Sequence, residues 1–205
     1  MNWLWKSDSP LDLVFDSVYI ALLHYPIQNR NGALVTTAVT NMDVHDISRS
    51  ARTYGMKGYF IVTPIEDQHG LIGRILGHWK TDESRKEHPD RVEALSLVQL
   101  VRSFEDVKAS IRSLHGEDPE VVLTDARPLP HSVSYDEYRA ELKARPSSGK
   151  PVVLVFGTGW GISEVFYPEV HRILAPVYGP GGFGGYNHLS VRSAVAIILD
   201  RLFGT

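Results

Sequence analysis

A chain of 205 residues is long enough to bury a hydrophobic core as one domain without help from disulfides or metals. It contains no cysteine, which excludes a disulfide framework and any thiolate metal site. Its formal net charge of −3 excludes a protein that coats nucleic acid nonspecifically, because such binding draws on many cationic contacts to phosphate; a local basic site remains compatible with it.

Residues 1–15 mix aromatic and acidic side chains without the basic start, apolar stretch and small-residue cleavage site of a secretory signal. They are expected to form an N-terminal tail ahead of one domain over 16–205. The apolar runs fall far short of the roughly 20 residues needed to span a bilayer, so no membrane association and a cytoplasmic setting are expected. A first strand is predicted at Val18–Leu23, followed by a turn over 29–32. The helix over 43–54 is the clearest, with Val44, Ile47, Ala51 and Tyr54 on one stripe and Gly55 as its C-terminal cap. Its other face carries His45, Arg49 and Arg52.

A strand at Gly58–Val62, a helix over 71–79, a charged surface loop over 81–90 and a strand over 95–101 follow. Then come a helix over 104–114, a strand over 121–124, a helix at Tyr135–Ala144, a Pro- and Ser-containing connector over 145–150, and strands over 152–156 and 173–177. A last helix carries Val191, Ala194, Val195, Ile198 and Leu202 on its apolar face. Strands alternating with helical segments predict an α/β fold, a mainly parallel sheet covered on both faces.

The sharpest local feature is Pro151-Val-Val-Leu-Val-Phe-Gly-Thr-Gly-Trp-Gly161, a strand that ends in glycines at alternate positions. Glycine there lets backbone amides approach a ligand, and open α/β sheets bind ligands beyond the carboxyl ends of their strands. An ordinary tight turn after a core strand would carry the same residues. The dinucleotide fingerprint does not fit, since its third glycine is misplaced and too little chain follows for its acidic partner; no Gly-Lys-Ser/Thr marks a P-loop either. The strand over 173–177 leads into Tyr178-Gly-Pro-Gly-Gly-Phe-Gly-Gly-Tyr-Asn187, which enters the last helix at His188-Leu-Ser-Val-Arg-Ser-Ala194. Loops from two strand ends and the free amides of a helix N-terminus thus converge on one place, as a nucleotide site requires.

These segments resemble the cofactor half of the SPOUT superfamily of knotted, S-adenosylmethionine-dependent RNA methyltransferases. Phe156-Gly-Thr-Gly-Trp-Gly, Leu174-Ala-Pro-Val-Tyr-Gly and Leu189-Ser-Val-Arg-Ser-Ala stand in the family's order, and Thr40-Asn-Met-Asp-Val-His-Asp-Ile-Ser-Arg-Ser-Ala-Arg-Thr-Tyr-Gly55 resembles its first motif. The resemblance implies a Rossmann-like sheet with a C-terminal trefoil knot, a homodimer, S-adenosylmethionine as cofactor and tRNA or rRNA as partner. It implies cofactor contacts from Phe156, Gly157, Thr158, Gly159, Leu174, Pro176, Val177, Gly179, Asn187, Leu189, Ser190 and Ser193. Arg49 matches the family's catalytic arginine, and Arg52 shares its helix face. Because a guanidinium does not accept protons at ordinary pH, orientation of an acceptor phosphate suits Arg49 better than base catalysis.

Asp43, His45, Arg127 and Arg192 are further candidates for substrate contact. Asp43 is equally placed to cap its helix, and exposed arginines equally often pair with nearby carboxylates. The chain departs from the ribose-methylating branch, with Ser190 where that branch often has Asn and no evident Glu over 158–160, so methylation of a base nitrogen and of a ribose 2′-hydroxyl both stay open. No metal is expected, since the nine histidines lack the spacing of a helix-borne site. The other readings are a non-catalytic RNA-binding or ribosome-associated module with the same fold, and an α/β enzyme for a phosphorylated nucleotide, against which the lack of a lysine in the glycine-rich loops counts.

Overall fold

The computed structural model describes residues 17–146 and 149–205; the expected tail over 1–15, and Ser147 and Ser148 of the connector, lie outside them. Six parallel strands form the sheet, β1 (Val18–Leu23), β4 (Gly58–Val62), β5 (Val98–Val101), β6 (Glu120–Leu123), β7 (Val152–Gly157) and β8 (Arg172–Ile173), in the order β5-β4-β1-β7-β6-β8. A two-stranded hairpin, β2 (Ile27–Gln28) and β3 (Leu34–Val35), follows β1. The helices are α1 (Asn41–Thr53), α2 (Glu66–His78), α3 (Asp82–Glu87), α4 (Pro89–Leu95), α5 (Phe104–His115), α6 (Tyr135–Ala144) and α7 (Val191–Phe203).

Alternation along β1 divides the core into two. Val18, Ile20 and Leu22 pack with Val44 and Ile47 of α1, Tyr138 of α6 and Val195 and Leu199 of α7, whereas Tyr19, Ala21 and Leu23 pack with Phe104, Val107 and Ile111 of α5. A strand buried on both faces must be apolar throughout, and each such Val, Leu or Ile contributes roughly 1.5–3 kcal/mol by leaving water.

Three expectations need correction. The charged run over 81–90 is helical: Thr81 caps α3 by accepting from the Ser84 amide at 3.2 Å, Asp82 and Glu83 lie in its first turn and Arg85 and Lys86 in its last, which suits the helix dipole. Pro89 then opens α4, whose span to Leu95 delays the next strand to Val98. The strand expected over 173–177 is only Arg172–Ile173. The Leu174 amide still reaches the Leu123 carbonyl, but that of Ala175 turns to Val133, and Pro176 has no N–H with which to continue a ladder. Among the described residues no helix is long and apolar enough to cross a membrane.

Candidate cofactor and substrate sites

β1 and β7 are neighbours in register, with Leu23 beside Gly157, and their carboxyl ends open into a cavity of about 800 Å³. Thr37 and Asp43 reach it from the chain after β3, Asp125 and Arg127 from the loop after β6, the 157–162 loop from β7, and Asn187 to Arg192 from the entry to α7. That loop is held from below by β2: the Gln28 amide donates to the Gly161 carbonyl at 3.0 Å, and Ile27 bridges Ile162. Thr158 to Gly161 closes as a turn through the Gly161 amide and Thr158 carbonyl at 3.1 Å, with Gly159 at φ +58° and Gly161 at φ +100°, where a side chain would be strained.

A polar chain runs beneath the loop. The buried His24, at the end of β1, lies 2.9 Å from the Thr37 hydroxyl through Nδ1, and Thr37 lies 2.5 Å from the Thr158 hydroxyl; Thr158 in turn donates to the Leu23 carbonyl at 3.4 Å. Donation from Nδ1–H through both hydroxyls to that carbonyl satisfies every donor, and it leaves the unpartnered Nε2 as a lone pair. Burial lowers the His24 pKa to about 4, against a smaller opposing pull from Asp43, so the imidazole is neutral near pH 7.

The cavity's charges are balanced. Arg127 forks onto Asp125 at 2.9 and 2.7 Å and also donates to the Ile162 carbonyl at 3.2 Å. Arg192 donates to the buried Asp43 at 2.9 Å. Asp43 is the third residue of α1, and its carboxylate accepts from the Thr40 amide and hydroxyl in a capping box, so both oxygens are engaged. Ser190 caps α7 by accepting from the Ser193 amide at 3.2 Å, and the amides of Val191 and Arg192 in the first turn have no intrahelical acceptor.

Of the residues singled out for the cofactor, Phe156, Gly157, Thr158, Gly159, Val177, Asn187, Leu189 and Ser190 line this cavity. Leu174 and Pro176 are buried behind it, Gly179 faces open space and Ser193 belongs to the cap. Asn187 also donates to the Ala126 carbonyl at 2.8 Å, tethering the second glycine loop. Asp43, Arg127 and Arg192 join the first cavity; His45 and Arg49 do not. They line a second one of about 600 Å³ between α1, α2 and α4. Arg52 pairs with Glu93 on the surface. The sequence reading passed over His24, Thr37 and Asp125, although each follows a strand's carboxyl end, the one signal that could have found them. Among the described residues no group of three or more His, Asp or Glu is placed to hold a metal ion.

The donor set suits S-adenosylmethionine. Volumes of roughly 300–1,000 Å³ serve such ligands, Phe156, Val177, Leu189 and Ile198 offer apolar walls for an adenine, and Thr158 with the glycine-loop backbone and the first turn of α7 offers polar groups to a ribose and a carboxylate.

Residues 17–204 match the model of a family described as SAM-dependent RNA methyltransferase. A protein of Aquifex aeolicus whose name assigns no activity is 43% identical over 191 residues, covering 93% of this chain and 90% of the relative. A protein of Oleidesulfovibrio alaskensis named tRNA (guanine-N(1)-)-methyltransferase is 39% identical over 188 residues, covering 92% of this chain and 42% of the relative; the chain therefore spans about two-fifths of that longer protein. Among solved structures, a probable methyltransferase from Bordetella pertussis superposes with a TM-score of 0.61 at 16% identity, covering 94% of this chain and 95% of that one. The SpoU methyltransferase AviRb from Streptomyces viridochromogenes, in complex with AdoMet, gives 0.51 at 16% identity, covering 92% and 57%. These two show a shared fold. The family match along nearly the whole chain goes further, and the protein belongs to the S-adenosylmethionine-dependent RNA methyltransferases.

Proposed function

We propose that the 800 Å³ cavity seats S-adenosylmethionine and that the chain methylates a tRNA or an rRNA, at a base nitrogen or a ribose 2′-hydroxyl, as a cytoplasmic homodimer. The observation that carries this reading is the convergence of the β7 glycine loop, the β6 loop and the α7 entry on one charge-balanced cavity at the carboxyl ends of adjacent parallel strands.

The cofactor supplies an activated methyl group on a sulfonium, so the protein's task is to bind, align the acceptor and dispose of one proton. The 157–161 turn and the first turn of α7 both line the cavity, and the Val191 and Arg192 amides lack intrahelical acceptors. Two ion pairs leave the cavity without excess charge, which suits a ligand carrying both cationic and anionic groups. Asp43 positions Arg192, and both of its carboxylate oxygens are engaged.

The reading includes a trefoil knot. In support, Leu174 and Ala175 pair with Leu123 and Val133 while Asn187 reaches back to Ala126, so the chain leading to α7 is tied to the loop after β6 at both ends.

Calorimetric titration with S-adenosylmethionine tests the site. Micromolar binding, roughly −8 kcal/mol, that Gly157→Val abolishes is expected, since a side chain there meets the Ile162 amide nitrogen at 3.1 Å and its Cγ1 at 2.6 Å. Absence of binding by folded wild-type protein would overturn the reading and leave a non-catalytic RNA-binding module with this fold.

A further inference from the structure

The second cavity differs from the first in charge and in wall chemistry. Its lining brings together Arg49 of α1, Arg74 of α2 and Arg91 of α4 with one carboxylate, Asp46, which itself lies 3.4 Å from Arg192. Among the described residues none of the three arginines forms an ion pair, in contrast to Arg127 and Arg192 of the first cavity. Free guanidinium forks around a concave surface fit phosphate oxygens.

Trp79 stands at the centre of this wall. The Arg91 guanidinium lies over its ring, 4.8 Å from the centroid, and His45, His78 and His88 meet it at steep angles with centroids 5.7, 5.2 and 5.8 Å away. With its ring so occupied, Trp79 serves as a pedestal that fixes Arg91, and it leaves little face for a stacked base. His45 Nδ1 is buried without a partner, a vacant hydrogen-bonding position in the same wall. Burial first, and then the Arg91 guanidinium, hold the His45 pKa below the usual histidine range, with Arg49 adding to this and Asp46 opposing it.

We propose that the cavity between α1, α2 and α4 is a seat for a backbone phosphate of the substrate RNA, in which Arg74 and Arg91 join Arg49, whose phosphate role the resemblance implies. It rests on the RNA methyltransferase reading and adds a second point of attachment beside it. Thr40 and Asp43 line the first cavity, and Asn41, Met42 and Asp46 line the second, so the first turns of α1 separate the two. A nucleic acid strand engaged at this seat would be placed next to the methyl donor's cavity.

The test is binding of a short labelled single-stranded RNA of mixed sequence, followed by fluorescence anisotropy over a range of salt concentrations, with S-adenosylmethionine affinity measured on the same samples. All three arginines are exposed, so Arg74→Gln with Arg91→Gln removes charge without opening the core. The expected result is an RNA affinity lowered about tenfold and a log–log salt slope reduced by about 0.7, the contribution of one phosphate contact on a single strand, with cofactor binding unchanged. Arg112→Gln, on α5 against the other face of the sheet, should alter neither. Unchanged RNA affinity and slope in the double variant would overturn the proposal. So would binding of inorganic pyrophosphate, measured on the same samples, that the double variant loses while RNA affinity is retained, which would mark the cavity as a seat for a free anion. Failure of wild-type protein to bind S-adenosylmethionine, with RNA binding still lost in the double variant, would sink the methyltransferase reading and support the phosphate seat.

Discussion

Arg192 in the first turn of α7 donates to Asp43 in the first turn of α1 at 2.9 Å, joining residues 149 positions apart. The Asp43 side chain is only 5% exposed and that of Arg192 26%, so the pair closes one wall of the first cavity from inside the protein. Truncation of either partner strands a buried charge, which costs more than the intact pair contributes. Arg192→Ala is therefore expected to lower unfolding free energy by about 2–3 kcal/mol and to weaken S-adenosylmethionine binding. Urea denaturation of Arg192→Ala, Asp43→Asn and the double variant should give a coupling of more than about 1 kcal/mol; strictly additive losses would show that the two side chains act independently.

Gly161 combines a backbone that only glycine adopts readily with a close approach to the ion pair beside the β7 loop. At φ +100° an alanine is strained, and its Cβ would stand 3.2 Å from Arg127 Nη2 and 3.4 Å from Asp125 Oδ2. Gly161→Ala should cost about 1–3 kcal/mol and weaken cofactor binding at least tenfold by disturbing the Asp125–Arg127 fork. Gly179→Ala meets nothing within 4 Å and should leave both unchanged. Thermal denaturation and calorimetry on the two variants separate these outcomes; equal losses would mean that both loops touch the cofactor in a way their free geometry does not disclose.

His24 makes stability depend on pH. The folded chain keeps this imidazole neutral down to about pH 4, whereas the unfolded chain protonates it near 6.5. Between those values the unfolded state binds more protons, so the contribution is intact above pH 6.5 and is lost as pH falls toward 4, by about 3 kcal/mol in all. His24→Asn retains a polar group near Thr37 but cannot titrate. Its stability curve from pH 7.5 to 4.5, obtained by urea denaturation, should be shallower than wild type, and parallel curves would contradict the assignment.

How much of this was legible in the sequence depends on the range of the interactions involved. Val18–Leu23, Gly58–Val62 and Tyr135–Ala144 have the bounds their local patterns predict, because burial on two faces and a Ser134 capping box are local properties. The meeting of the β7 glycine loop and the α7 entry at one cavity was legible because strand ends and a helix N-terminus carry recognisable residues. His24, Thr37 and Thr158 form one polar chain in which Thr37 and Thr158 stand 121 positions apart in sequence, and no local pattern marks such a contact. The run over 81–90 was misread for a different reason: its charges describe a solvated surface equally well as loop or helix, and only the Thr81 cap distinguishes them.

Arg49 and Arg52 lie on the same exposed stretch of α1, and the helical pattern alone places them on one face. Their surroundings separate them. Arg52 is held by Glu93 with both side chains about half exposed, an arrangement worth at most about 1 kcal/mol, and neither residue lines either cavity. Arg49 has no carboxylate partner and lines the basic cavity beside the first turns of α1. Arg49→Ala should accordingly reduce methyl transfer to RNA by at least tenfold while leaving S-adenosylmethionine affinity and stability near wild type, because it removes an acceptor contact and no cofactor contact. Arg52→Ala should leave transfer within about twofold and cost less than about 1 kcal/mol of stability. Incorporation of labelled methyl groups into bulk tRNA and rRNA, read beside calorimetry on the same samples, measures both. If Arg52→Ala proved the more damaging for transfer, the Arg52–Glu93 pair would have to open when RNA binds, and the acceptor would lie on the α4 side of α1.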